Sequence, residues 1–255
     1  MALSGEPQAP PHQVSTGIPS TALLVERVLA ALEAGSIPER REKAASYFPS
    51  RMRGLGVPVP TQRKVLRDAA RELRAAPASA VMDFVRELLG AAIHEARQVA
   101  FELVARRPDV MAVLDGPGVE RLGEGNDNWA SVDCFGVYIA GPAWRAGTVS
   151  DAQVRAWAMS TDRWWRRTAL VATVALNVKS RGGTGDADRT LAVCEALVAD
   201  RDPMVVKALS WALRSLVGVA PHRVRAFLVA HGDDVPALVR REVGNKLETG
   251  LKRGR

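Results

Sequence analysis

Apolar residues recur along this chain at spacings of three and four from Ser20 onward, and almost nowhere do they alternate with the period of two that a half-buried strand needs. The pattern predicts an all-α chain. Leu24, Val28, Leu29 and Leu32 form the first stripe, opened by Ser20 or Thr21 as N-cap and closed by Gly35. A second helix is expected from Pro38 to just before Pro49, because proline suits a first helical turn and pushes the residue before it out of helical conformation. A third runs from Thr61, after Pro60, to about Arg74; further patterns cover 79–89, 93–106, 117–123, 127–140, 151–159, 162–179, 187–199, 203–218, 222–230 and 234–250. Thirteen short helices joined by brief links predict pairs stacked in series.

A weak internal repeat supports that stacking. Arg167, Lys207 and Arg241 each follow an apolar or aromatic pair and precede another apolar stretch, at separations of 40 and 34 residues. That is the length of a helix-pair repeat, so the expected architecture is an α-solenoid superhelix of HEAT-like repeats whose concave wall carries these cations in a basic cleft. The plainer alternative is that a helical protein scatters basic residues at such spacings. The stretch Ser180-Arg181-Gly182-Gly183-Thr184-Gly185 lacks both the Lys-Ser/Thr and the preceding strand of a phosphate loop and reads as a flexible turn.

Composition narrows the partners. With 255 residues, 47% of them hydrophobic, the chain can bury a sizeable core as one array, expected over 20–252. Residues 1–19 contain Pro7, Pro10, Pro11 and Pro19 with neither a basic nor an apolar signal region, and read as a disordered leader. No apolar run reaches 18 residues, so no membrane span is expected. A net charge of +7 points to a polyanion, nucleic acid first, because cations gain by releasing counterions condensed on phosphates. The charge is uneven: Pro38 to Arg74 holds ten Lys or Arg against four Asp or Glu, and Arg240 to Arg255 holds six against two, as expected of two phosphate-contacting arms around a central site.

The candidate chemistry is sparse. His12, His94, His222 and His231 have no ligand spacing, and Cys134 and Cys194 lie far apart in apolar patterns, so neither a metal site, a disulfide framework nor a cysteine nucleophile is expected. All six tryptophans fall between 129 and 211; Trp144 and Trp157 read as core. Trp129 differs because Asp133 follows one turn later, on the same face of a helix that is otherwise apolar through Phe135, Val137, Tyr138 and Ile139. An indole and a carboxylate side by side suit a cation. A buried salt bridge or a cap for a neighbouring helix is the alternative for Asp133.

At these residues the chain resembles a known family. Asn128-Trp129-Ala130-Ser131-Val132-Asp133, Trp164-Trp165-Arg166-Arg167-Thr168-Ala169 and Lys207-Ala208-Leu209-Ser210-Trp211-Ala212-Leu213-Arg214 look like the three signature helices of the AlkD-type DNA alkylation repair enzymes. Tyr47, Leu55-Gly56-Val57 and Pro60-Thr61-Gln62-Arg63 are similar to the family's tyrosine, Leu-Gly-Ile turn and Pro-x-x-Arg helix start. Any one motif is weak; their order over about residues 25–250 is specific.

The resemblance implies a HEAT-like superhelix around duplex DNA, acting without cofactor or metal as a monofunctional glycosylase on N3- and N7-alkylated purines, without base flipping and with room for bulky adducts. It implies Asp133, Trp129 and Trp211 as the catalytic set, Arg167 as a DNA contact near the lesion, and Tyr47 in the same cleft; Arg63, Lys207 and Arg241 are expected on the backbone. Such an enzyme would be an intracellular, bacterial-type cytoplasmic monomer, nucleoid-associated through its DNA. Asn128 departs from relatives that carry a second aromatic there, and the Gly-rich stretch and the leader look like additions. A HEAT-like protein that binds damaged DNA without cutting it, or a scaffold for acidic proteins, are the alternatives.

Overall fold

A computed structural model of the protein describes residues 21–252. The leader expected over 1–19 lies outside them. Among the described residues there is no strand, and the helices are α1 (Thr21–Ala34), α2 (Pro38–Tyr47), α3 (Val59–Glu72), α4 (Ala78–Gly90), α5 (His94–Ala105), α6 (Pro108–Ala112), α7 (Gly116–Gly123), α8 (Trp129–Phe135), α9 (Gly141–Arg145), α10 (Asp151–Ala158), α11 (Arg163–Asn177), α12 (Ala187–Ala196), α13 (Pro203–Val217), α14 (Pro221–His231) and α15 (Ala237–Thr249). The all-α repeat architecture is as expected, with α6 added.

Two rows of helices share one continuous set of buried side chains, from Leu24 to Val243. In one row α3, α5, α8–α9, α11, α13 and α15 touch in succession; in the other α4, α10, α12 and α14 back onto them. Most of these helices bury one stripe; α2 buries no residue and α11 buries every residue from Arg167 to Asn177. Val205, Ala208, Leu209, Ala212, Leu213 and Leu216 are the buried stripe of α13, at the spacing that its hydrophobic pattern implies. Arg167, Lys207 and Arg241 fall at the fifth residue of α11, α13 and α15, so the sequence repeat is a repeat of position in three neighbouring helices.

One stretch breaks the regular pattern. The helix expected over 127–140 continues to Arg145, because Gly136–Ala140 winds as a π-helix in which the Gly141 amide donates to the Gly136 carbonyl five residues back. Pro142 can then sit in the first turn of α9, where its missing N–H costs nothing, instead of ending the helix. Gly136 and Gly141 both face α11: a Cβ would lie 2.7 Å from Val171 Cγ1 at the first and 2.5 Å from the Ala172 carbonyl oxygen at the second. The backbones therefore approach more closely than side chains would permit.

The Gly-rich stretch is tied down rather than loose. Arg145 donates to the carbonyls of Ala175 (2.6 Å) and Arg181 (3.1 Å), and the Arg181 guanidinium lies 4.4 Å from the centre of the Tyr138 ring. Gly182 and Gly185 take positive φ of 78° and 101°, conformations open to glycine.

Candidate active site

The close approach at Gly136 sets the centre of the site. Asp133 stands one turn before Gly136, and Arg167 one turn before its contact Val171, so the two side chains meet between α8 and α11. Arg167 Nε donates to Asp133 Oδ1 at 2.8 Å and Nη2 to Oδ2 at 2.9 Å, while Nη1 donates to the Met204 carbonyl at the start of α13. This fork holds the carboxylate rigidly and uses one lone pair of each oxygen. The Asp133 side chain keeps 19% of its exposure; that of Arg167 keeps 6%. Burial pushes the Asp133 carboxyl above its ordinary range, against the pull of Arg167, and two N–H groups directed at its two oxygens favour the ionised form.

Arg167, expected as a DNA contact, is thus turned inward and committed to Asp133 and Met204. The salt bridge that stood as the alternative reading of Asp133 is present. Its opposite number on the next helices behaves differently: Lys207 and Arg241 are exposed, and neither forms an ion pair among the described residues. The physical difference is that Arg167 faces the Asp133 carboxylate beside the Gly136 contact, whereas no carboxylate pairs with Lys207 or Arg241 among the described residues.

Trp129 begins α8, where the buried Asn128 side chain caps the helix by accepting from the Ser131 amide at 3.0 Å. That capping accounts for an asparagine at a position where an aromatic would leave the amide unsatisfied. The Trp129 ring meets Tyr47 edge-on at 5.3 Å and Phe48 at 5.8 Å, and Phe48 in turn lies 5.0 Å from His94. Tyr47 is 69% exposed, so this cluster presents a ring to solvent. Two links fix the segment that carries it. Asp127 accepts from Ser50 Oγ and the Arg51 amide, and the buried Glu95 carboxylate accepts from the amides of Leu55, Gly56 and Val57 at 2.7–3.2 Å.

Trp211 is half-buried on α13, on one stripe with Met204 and Lys207 at the i, i+3, i+7 spacing. No ring contact joins it to Trp129 among the described residues; the two indoles stand on different helices, α13 and α8. Arg63 is exposed on α3 and faces a cavity beside α2. Trp144 and Trp157 donate to Asp151 and Glu120, each at 2.7 Å, as core residues with a satisfied N–H. Burial pushes both cysteine thiols up, which makes them poor nucleophiles. Among the described residues no cluster of three His, Cys, Asp or Glu is placed to hold a metal ion, and no helix is long and apolar enough to cross a membrane.

Reading the sequence alone missed Phe48, His94 and Glu95. Phe48 adjoins Tyr47 and carries no periodic signal of its own, and Glu95 falls in the first turn of α5, where an acid is ordinary.

The fold has a counterpart among solved structures, and the chain matches a family model. A protein of Enterococcus faecalis described as a predicted DNA alkylation repair enzyme has the same fold, with a TM-score of 0.64 at 19% identity over 84% of this chain and 97% of its own. No curated protein sequence matches the chain. The family described as DNA alkylation repair enzyme matches residues 28–247, nearly the whole of the helical array. The chain is therefore a member of the DNA alkylation repair enzyme family.

Proposed function

We propose that this member of the family is a monofunctional glycosylase that hydrolyses the bond between deoxyribose and a purine alkylated at N3 or N7 in duplex DNA. The observation that carries the reading is a carboxylate held rigidly one helical turn after an indole, on a largely apolar helix and partly open to solvent. A ring-alkylated purine is cationic, so its glycosidic bond is already weak. As that bond breaks, its electron pair returns to the ring nitrogen and neutralises the base, while positive charge develops at C1′. Asp133 would stabilise that charge and orient the water that adds to C1′ and gives up a proton.

The Arg167 fork fits this role because it fixes the carboxylate and leaves its outward lone pairs free. In this reading Arg167 is a positioning residue rather than a phosphate contact. Trp129 and Trp211 would offer π-faces to the cationic base, worth about 0.5–2 kcal/mol each. Tyr47, Arg63, Lys207 and Arg241 would contact the DNA, the last two from equivalent positions on adjacent helices. The reading needs no metal or cofactor, and no second subunit.

The experiment is incubation of the protein with methylated duplex DNA and chromatography of the supernatant. Free 7-methylguanine or 3-methyladenine, with abasic sites left in the duplex, is the expected result. Tight binding without base release would instead support a damage-binding protein in which Asp133–Arg167 is only a structural pair.

A further inference from the structure

We propose that the cavity beneath α2 holds one unstacked nucleotide of the bound duplex, distinct from the nucleotide being cleaved. The proposal rests on the reading that duplex DNA lies against Trp129 and Asp133.

The cavity is an open cleft of about 580 Å³ between α2 and the wall formed by α5 and α8, a volume in the range that accommodates a ligand of nucleotide size. Its floor and sides include Phe48, His94, Gln98, Ala130 and Tyr138, and its rim carries Arg40, Lys43 and Arg63. None of these three cations forms an ion pair among the described residues. Of the carboxylates that line it, Glu95 is occupied by three backbone amides and Glu102 by Arg106 at 3.6 Å; Glu39 and Glu42 lie exposed on α2 outside the lining. Burial holds the His94 imidazole below its ordinary range, so that ring is neutral at physiological pH and the cations of the cavity stand at its rim. Flat aromatic walls under a cationic rim suit a planar base joined to a phosphate.

The cavity adjoins the site without coinciding with it. Tyr47 and Phe48 line it and also hold the Trp129 ring. Ala130 and Cys134 line it too, and each follows Trp129 or Asp133 by one residue, which turns them about 100° round the same helix. A base in the cavity is therefore not the base at Asp133. It is the right neighbourhood for the pairing partner that the lesion leaves behind.

The roof is built to be held in place from outside. α2 has no buried residue, yet its first turn rests on Gly56, where φ is +72° and a Cβ would lie 2.4 Å from the Arg41 amide nitrogen. The Glu95 hydrogen bonds fix that turn, so the helix with no core of its own keeps the cavity open.

The test is a set of dissociation constants, by fluorescence anisotropy, for a fully paired duplex, the same duplex with one extrahelical adenine, and free dAMP as competitor. Wild type should bind the bulged duplex at least tenfold more tightly than the paired one, and millimolar dAMP should leave that preference intact. Ala130→Leu, which fills the floor, and Lys43→Ala, an exposed change unable to disturb the core, should each reduce the preference at least threefold while keeping affinity for the paired duplex within about threefold. No preference in wild type, a preference unaffected by both variants, or displacement of the bulged duplex by dAMP at comparable concentration would each overturn the proposal. Base release from methylated duplex is measured on the same preparations: its absence alongside an intact bulge preference would refute the glycosylase reading and leave the nucleotide site standing.

Discussion

Replacing Asp133 by asparagine should cost more activity than the Asp133–Arg167 pair contributes as a whole, and removing Arg167 as well should restore part of it. A carboxylate about 4 Å from a developing sugar cation attracts it by about 4 kcal/mol at an effective dielectric near 20. The Arg167 guanidinium sits behind that carboxylate, and at about 8 Å from the same cation it repels by about 2 kcal/mol, so the pair together is worth about 2 kcal/mol. Asp133→Asn removes the attraction and leaves the repulsion, a change of about 4 kcal/mol or about a thousandfold in rate. The double change Asp133→Asn with Arg167→Met removes both, and should be about thirtyfold slower than wild type yet about thirtyfold faster than the single variant. Stability should follow the same order, because stranding a guanidinium with 6% of its exposure uncompensated costs about 3–5 kcal/mol while deleting both charges is nearly neutral. The assay is single-turnover release of 7-methylguanine from methylated duplex, with a thermal melt on each preparation. Excision by Asp133→Asn within threefold of wild type would remove Asp133 from the mechanism. A double variant slower than Asp133→Asn would show that Arg167 acts on the DNA directly, as the sequence alone suggested.

Acid should quench the reaction earlier than an exposed aspartate would allow. The Asp133 carboxyl is raised by burial, so its stabilising contribution is greatest when protonated, below the ordinary carboxylate range, and is lost as pH rises through the elevated value; activity runs the other way and requires the ionised form. The single-turnover rate corrected for spontaneous depurination should therefore rise with a midpoint above 3.8 and then stay level to neutral pH, and a midpoint at or below 3.8 would contradict the burial argument. Gly136→Ala puts a methyl 2.7 Å from Val171 Cγ1 and should cost about 1–3 kcal/mol in denaturant unfolding, with Val171→Ala recovering part of it; an unchanged midpoint would show that α8 and α11 can separate freely. Lys207→Ala and Arg241→Ala should each lower the slope of log affinity against log salt by about one for undamaged duplex, and an unaltered slope would exclude a phosphate contact at that residue.

Most of the helices were readable because a buried stripe every three or four residues is a local signal, and α13 displays it almost without interruption. The helix expected over 127–140 runs on through Pro142, since the π-helical turn that accommodates the proline depends on α11 packing against Gly136 and Gly141, a contact between residues more than 30 apart in sequence. The same distance explains Arg167. Its type and its place in the repeat identify a cation on the row, but only the carboxylate across the glycine contact decides that it turns inward while Lys207 and Arg241 stay in solvent. Phe48 and Glu95 were hidden for a related reason: one lies in an irregular turn, and the other spends its charge on amides about 40 residues earlier.

The π-helical turn at Gly136–Ala140 also makes the helix a record of phase. It holds one residue more than the α-helical path would, so Trp129 and Asp133 on one side and Trp144 and Arg145 on the other obey two helical frames offset by about 100°. Deleting any one residue of 136–140 would produce a more regular helix and a worse protein, because either the Asp133 carboxylate would swing away from Arg167 or the indole of Trp144 would leave Asp151. Reaction site and scaffold are joined here by a single surplus residue, and homologues that lack it would have to meet the same two obligations with a different pair of helix faces.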